Sequence, residues 1–110
     1  MKQAEIYHQE QLAGILTEDE YGFHFQHNAT YLLSENPQPI SLTFPISSSI
    51  YHDKTLFPFF DGLIPEGWLL NLAEKNWKVD RRDRMALLVA CCKDCIGAVS
   101  VIPIDNAEQL

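Results

Sequence analysis

The sequence predicts an α+β domain in which a small, mostly antiparallel sheet or partly closed barrel packs with two to three helices. Three observations favour this class. Apolar and polar residues alternate with a period of two over much of the first half, two helical segments follow, and a β-branched run comes near the end. With 110 residues, 46% of them apolar, the chain has the size of a single domain, residues 1–110, around one core.

Strands are expected mainly in the first half. Four short segments alternate like half-buried strands: residues 4–9, 12–16, 23–26 and 40–44. Gly14 interrupts the second of these, and Pro45 stops the fourth. A helical turn is expected over residues 28–34, and the polar tract 47–53 indicates a loop.

Helices are expected in the second half. Residues 54–63 predict a short helix interrupted near Pro58. Pro65 is suited to the first position of a helix that runs to about Trp77, because the N–H that proline lacks has no helical partner there. Another helix is expected from the N-cap Asp80 to Cys91, before a final strand over residues 98–104.

The chain is acidic, and its charge is unevenly distributed. Eight lysines and arginines against fifteen aspartates and glutamates give a formal charge of −7, which would repel a phosphate backbone, so direct nucleic-acid binding is not expected. Residues 1–53 contain one base and seven acids, a net charge of −6. This excess either attracts a basic partner over a Debye length of about 8 Å or serves solubility.

The sequence indicates a cytoplasmic protein that does not act at a membrane. It contains no run of about 18 apolar residues that would span a bilayer, and its first residues do not form a signal-peptide pattern. The cysteines, Cys91, Cys92 and Cys95, are three in number and close together, which suits reduced thiols better than a disulfide framework.

Residues for catalysis or cofactor binding are not evident. Residues 62–67 have the glycine spacing of a phosphate loop, but Trp68 and Leu69 follow where a lysine and a hydroxyl residue would be needed. The cysteines lack a second pair or a histidine pair that would complete a zinc site. His8, His24, His27 and His52 appear singly, without an evident catalytic partner. We therefore expect no enzyme, cofactor or metal.

Trp68 is the candidate anchor for a partner protein. On a helical wheel starting at Trp68, Trp77 falls inside the apolar arc, whereas Trp68 falls at its margin. A tryptophan exposed at a helix start provides a large contact area at little conformational cost. The alternative is that loop residues such as Ile50 or Phe57 cover it.

Two motifs give the sequence a family resemblance. Residues 59–67 (FFDGLIPEG) and the later residues 93–99 (KDCIGAV), together with residues 12–16 (LAGIL) and 40–45 (ISLTFP), resemble the N-terminal subdomain of the HipA-type Ser/Thr kinase toxins. In that family the nucleotide-binding loop, the catalytic aspartate and the metal ligands lie in later segments. The resemblance therefore implies a binding module without the kinase chemistry.

A separate copy of this subdomain resembles the small component of split HipBST toxin–antitoxin systems. The resemblance implies a HipT-like kinase toxin as the partner, which this protein would neutralise, and a HipB-like DNA-binding protein in a ternary complex. The expected contact residues surround the Pro-Glu-Gly corner: Phe59, Phe60, Asp61, Pro65, Glu66, Gly67 and Trp68. Two alternatives stay open, a non-inhibitory scaffolding or activating subunit that completes the kinase fold, and an enzyme with a thiol or metal site.

Overall fold

The protein is built on a five-stranded antiparallel sheet with the strand order β4-β3-β2-β1-β5. The computed structural model describes residues 2–35, 37–41, 43–64, 83–91 and 99–104. The strands are β1 (Lys2–His8), β2 (Gln11–Asp19), β3 (Gly22–His27), β4 (Tyr51–Asp53) and β5 (Val99–Ile104). Because β4 and β5 lie at opposite edges, the sheet is the open form of the two expected forms.

Tight turns join the first three strands. Gln9 and Glu10, between β1 and β2, have φ values of 50° and 72°, the left-handed conformation that a two-residue hairpin loop requires. Gly22 opens β3 with φ 123°, a conformation that side chains rarely allow. These turns keep β1, β2 and β3 adjacent, so the first third of the chain forms an antiparallel meander.

A β-bulge sets which residues of β2 face the core. Ile6 pairs with Gly14 but Tyr7 pairs with Leu12, so Ala13 is an extra residue on β2. The bulge shifts the alternation by one residue, and Ala13 and Leu16 are therefore both buried although they lie three positions apart. Gly14 also approaches β3 closely, since a Cβ added there would lie 2.4 Å from the Gln26 carbonyl oxygen.

Within the described part of the chain, three short helices accompany the sheet: α1 (Ala29–Leu32), α2 (Pro58–Asp61) and α3 (Arg84–Cys91). They contribute buried side chains to the same core as one face of the sheet, which we call the inner face. The sheet residues of this core are Ala4, Ile6, Ala13, Leu16, Phe23, Phe25, Val99 and Val101, and the helical ones are Tyr31, Phe60, Met85, Leu87 and Leu88. No helix among the described residues is long and apolar enough to span a membrane.

The prediction of a strand over residues 40–44 is wrong. The backbone N–H of Phe44 donates to the Ser41 carbonyl (3.0 Å), and the N–H of Thr43 donates to the Ser41 hydroxyl (3.2 Å). This local turn uses groups that a strand would offer to a neighbour. The fourth strand is instead β4, within the tract 47–53 that was expected to be a loop.

The helix boundaries also differ from the sequence predictions. Pro58 begins α2 rather than interrupting a longer helix, consistent with the tolerance of proline in a first helical turn. At α3 the side chain of Asp83 accepts a hydrogen bond from the Ala86 backbone N–H (3.1 Å), so Asp83 is the N-cap, and the expected start after Asp80 is wrong. The expected helix from Pro65 to Trp77 lies outside the described residues.

Candidate partner-binding surface

The segment from Phe57 to Ile64 holds the first of the predicted contact residues on a rigid support. Within α2 the backbone N–H of Asp61 donates to the Phe57 carbonyl and that of Gly62 donates to the Pro58 carbonyl, both at 2.9 Å. Phe57 and Ile64, at either end, are buried in the core. The turn is therefore anchored on both sides, and any surface it carries is preformed.

Phe60 does not lie on this surface. Its side chain is 0% exposed, and its ring lies 5.5 Å from that of Phe44 and 5.7 Å from that of Phe25, measured between centroids. The expectation that Phe60 contacts a partner directly is thus wrong in the folded chain. Residue 60 faces inward because α2 turns one side to the sheet, and the sequence alone did not show which of two adjacent phenylalanines that side carries.

Phe59 lies at the edge of the core. Its ring is partly buried and packs edge-on against the rings of Phe60 and Phe44, at centroid distances of 5.2 Å and 6.2 Å. One part of this side chain therefore stays accessible beside the start of the segment that continues to Pro65. Among the described members of the predicted contact set, Phe59 is the apolar residue whose side chain is partly accessible.

Asp61 makes an intrachain ion pair. Its Oδ1 accepts hydrogen bonds from Nε (2.8 Å) and a terminal nitrogen (2.7 Å) of Arg84, joining α2 to the first turn of α3. Both side chains are more than a third exposed, so solvent screens the pair and we expect it to stabilise the fold by at most about 1 kcal/mol. The pair leaves the Asp61 side chain partly accessible.

The other predicted contact residues, Pro65, Glu66, Gly67 and Trp68, lie outside the described residues. Their role in partner binding remains a prediction from the sequence. Trp77, Cys92 and Cys95 lie outside the described residues as well. Among the residues the structure describes, no group of three or more histidine, cysteine, aspartate and glutamate side chains is arranged to hold a metal ion.

Two histidines that the sequence presents as isolated lie together. His24 on β3 and His52 on β4 are directly paired across the strands, and their ring centroids are 4.7 Å apart. His24 Nε2 donates to Asp19 (3.1 Å to Oδ2), whereas His52 Nε2 donates to the Tyr21 carbonyl (3.0 Å). The Tyr21 backbone N–H, with a smaller contribution from His24, holds the pKa of Asp19 below its usual value and keeps this carboxylate ionised.

His27 is buried in the core. Its Nδ1 donates to the Ser47 carbonyl at 3.1 Å, while its Nε2 has no hydrogen-bond partner within the described part of the chain. Burial lowers the pKa of His27, and the bond to Ser47 opposes that shift only in part. The ring is therefore neutral near pH 7 and stacks in parallel with Tyr31 at 6.5 Å, as a structural residue rather than a catalytic base.

Comparison with protein families identifies the class of protein to which this fold belongs. Residues 4–102 match the family described as the HipA N-terminal domain, and the chain belongs to that family. The match includes the meander, α2, α3 and most of β5, so both motifs that carried the resemblance lie within it. The similarity is to a non-catalytic domain and indicates no kinase domain.

Individual relatives agree with this assignment. The chain is 30% identical to a solved structure of the N-terminal domain of HipA toxin, with a TM-score of 0.72, over 96% of this chain and 94% of that one. It is also 40% identical over 88 residues to an uncharacterised protein of Haemophilus influenzae, covering 80% of this chain and 79% of that protein. Membership of this family supports a part in a HipA-type toxin–antitoxin system.

Proposed function

We propose that the protein is a HipS-like antitoxin. It binds and inhibits a separately encoded HipA-like Ser/Thr kinase toxin that resembles HipT. The observation that carries this proposal is the match to the HipA N-terminal domain over residues 4–102, a domain without kinase chemistry of its own. The proposed place of action is the cytoplasm, where the kinase would act.

The proposal rests on a surface of this domain that stays complementary to the kinase when the two are separate chains. A domain that packs against a kinase within one polypeptide has a surface shaped for that kinase. The same surface supplied on a separate chain would rebind it, because the contacts do not depend on the covalent link. Binding without a link loses translational freedom, so the contacts must include a few side chains that contribute strongly.

We propose that this contact includes Phe59, Asp61 and the predicted contact residues 65–68. Phe59 supplies an accessible part of an aromatic ring on a support fixed by the buried Phe60. Trp68 is the proposed central anchor. Docking here would hold kinase elements in an inactive arrangement by favouring that conformation, with no phosphate chemistry on this chain. A HipB-like DNA-binding protein is the proposed third member of the complex.

Co-expression with the cognate kinase tests the proposal. The kinase alone should arrest growth, and the wild-type chain should restore it. Trp68→Ala should keep the circular dichroism spectrum while weakening association by more than about 2 kcal/mol, with loss of rescue. Leu33→Ala is the matched control, since Leu33 is an apolar side chain that is 87% exposed and is not among the predicted contact residues.

The same experiment separates the proposal from the scaffolding alternative. A scaffolding or activating subunit would leave growth arrested or deepen the arrest when co-expressed. Equal rescue by wild type and Trp68→Ala would remove Trp68 from the contact. A kinase that copurifies with this chain and remains fully active would contradict the antitoxin role.

A further inference from the structure

The side of the sheet opposite the core carries a surface that the proposed kinase contact does not use. We call it the outer face. Its strand residues alternate with the core residues and include Gln3, Ile15, Thr17, Asp19, His24 and Gln26. The three helices contribute to the core on the inner side, so among the described residues none of them covers this face.

A shallow depression of about 420 Å³ lies on the outer face. Its lining combines aliphatic and polar side chains: Gln3, Ile15, Thr17, Asp19, His24, Gln26 and Ile50. It is broad and open rather than enclosed, whereas small-molecule sites bury most of their ligand. Ile50 at its border is 59% exposed, a large apolar side chain left in contact with solvent. These features suit a segment of another protein.

The charge of the depression selects the chemistry of that segment. Asp19 is held ionised by the hydrogen bond from the Tyr21 N–H, and its side chain remains 30% exposed toward a ligand. Among the residues that the structure describes, the lining of the depression contains no lysine or arginine. Lys2 and Arg84 pair with Asp83 and Asp61 at the helices. His24 donates a hydrogen bond to Asp19, and a cation on a partner would add a charged contact to the exposed part of this carboxylate.

The size of the depression requires more than one side chain. Ile15 and Asp19 are four residues apart on β2, about 13 Å at the usual rise of a strand, so a single side chain does not reach both ends. We propose that the outer face binds a partner segment that places an arginine against Asp19 and an aliphatic side chain against Ile15 and Ile50. Gln26 is paired with Ile15 at the aliphatic end, and Gln3 is paired with Thr17 between the two ends. Their neutral amides suit the backbone of such a segment.

Arginine fits better than lysine for a geometric reason. The Asp19 carboxylate already accepts bonds from Tyr21 and His24, so its remaining lone pairs point in a restricted set of directions. A planar guanidinium offers paired donors that match a carboxylate, and its stem adds apolar contact. The segment 105–110 of this chain itself is a poor occupant, because it contains Asp105 and Glu108 but no basic residue.

The test uses the full chain and a blocked peptide, acetyl-Leu-Gly-Gly-Arg-amide, whose end residues span about 10 Å when extended. In ¹H–¹⁵N spectra, the side-chain amide resonances of Gln3 and Gln26 should shift as the peptide is added, and the shift should reach a plateau. Asp19→Asn should weaken binding at least about fivefold, since it removes a charged hydrogen-bond partner that is partly exposed. A peptide with glutamine in place of arginine should bind as weakly to the wild type.

Two matched variants control for indirect effects. Asp53→Asn makes the same change of charge outside the depression. Like Asp19, Asp53 accepts a hydrogen bond from the backbone N–H two residues later (Thr55, 3.3 Å). This variant should bind the peptide like the wild type. Ile50→Ser should weaken binding, whereas Leu33→Ser should not. Equal affinities for the arginine and glutamine peptides, or for Asp19→Asn and Asp53→Asn, would overturn the inference.

The peptide measurement does not involve the kinase. Failure of the antitoxin proposal would therefore leave this result valid. Conversely, a peptide that leaves the outer face unperturbed would refute the arginine site without affecting inhibition through the Phe59 edge.

Discussion

The variant Phe60→Ala tests whether residue 60 supports the proposed contact surface from inside the core. The side chain is fully buried and is surrounded by four aromatic rings, at centroid distances of 5.2 Å (Phe59), 5.5 Å (Phe44), 5.7 Å (Phe25) and 6.3 Å (Phe57). Phe60→Ala removes the ring from the middle of this group and leaves a cavity. Truncation of a buried phenylalanine costs about 3–5 kcal/mol, a large share of the roughly 5–15 kcal/mol expected for a domain of this size.

The matched change one residue earlier should behave differently. Because Phe59 is only partly buried, Phe59→Ala should reduce the free energy of unfolding by about 1–2 kcal/mol. Its main effect should be weaker binding of the kinase. Comparing Phe60→Ala with Phe59→Ala thus distinguishes a side chain that supports the proposed contact surface from one that is part of it.

Urea unfolding, followed by circular dichroism, measures both variants. A loss of about 4 kcal/mol corresponds to a fall of about 2 M in the unfolding midpoint when the slope is near 2 kcal/mol/M. Phe60→Leu, which retains most of the buried volume, should lie between the wild type and Phe60→Ala. If Phe60→Ala lowered the midpoint no more than Phe59→Ala, the inward orientation of residue 60 would be refuted.

Two further predictions concern the core. The free energy of unfolding should fall as pH decreases below about 6.5, because His27 has a lowered pKa when folded and binds its proton more readily when unfolded; His27→Phe should flatten this slope, and an unchanged slope would exclude His27 as its source. Gly14→Ala should lower the unfolding midpoint strongly, because the new Cβ would lie 2.4 Å from the Gln26 carbonyl oxygen. Wild-type stability of that variant would show that β2 and β3 are farther apart.

The sequence predicted the parts of the fold that depend on local pattern. The alternation of Phe23 and Phe25 with polar neighbours indicated β3, and the β-branched run indicated β5. Both are strands whose buried residues repeat with a period of two. The family resemblance, carried by residues 59–67 and 93–99, is confirmed by the match over residues 4–102.

The parts that failed depend on contacts between distant residues. Residues 40–44 alternate like a strand, but the hydroxyl of Ser41 binds the backbone two residues on and forms a turn. Residues 51–53 give only a short and weak pattern, and they become β4 because β3 offers a free edge. Without β4, the pairing of His24 with His52 was not predictable, and neither was the depression beside them.

Inhibition of a HipA-like kinase by this chain can be measured with purified proteins. The assay follows phosphate transfer by the cognate kinase while the chain is titrated in. Activity should fall to background at saturating amounts, and Trp68→Ala should shift the curve to higher concentration. Activity that stays constant or rises at saturation would contradict inhibition by this chain.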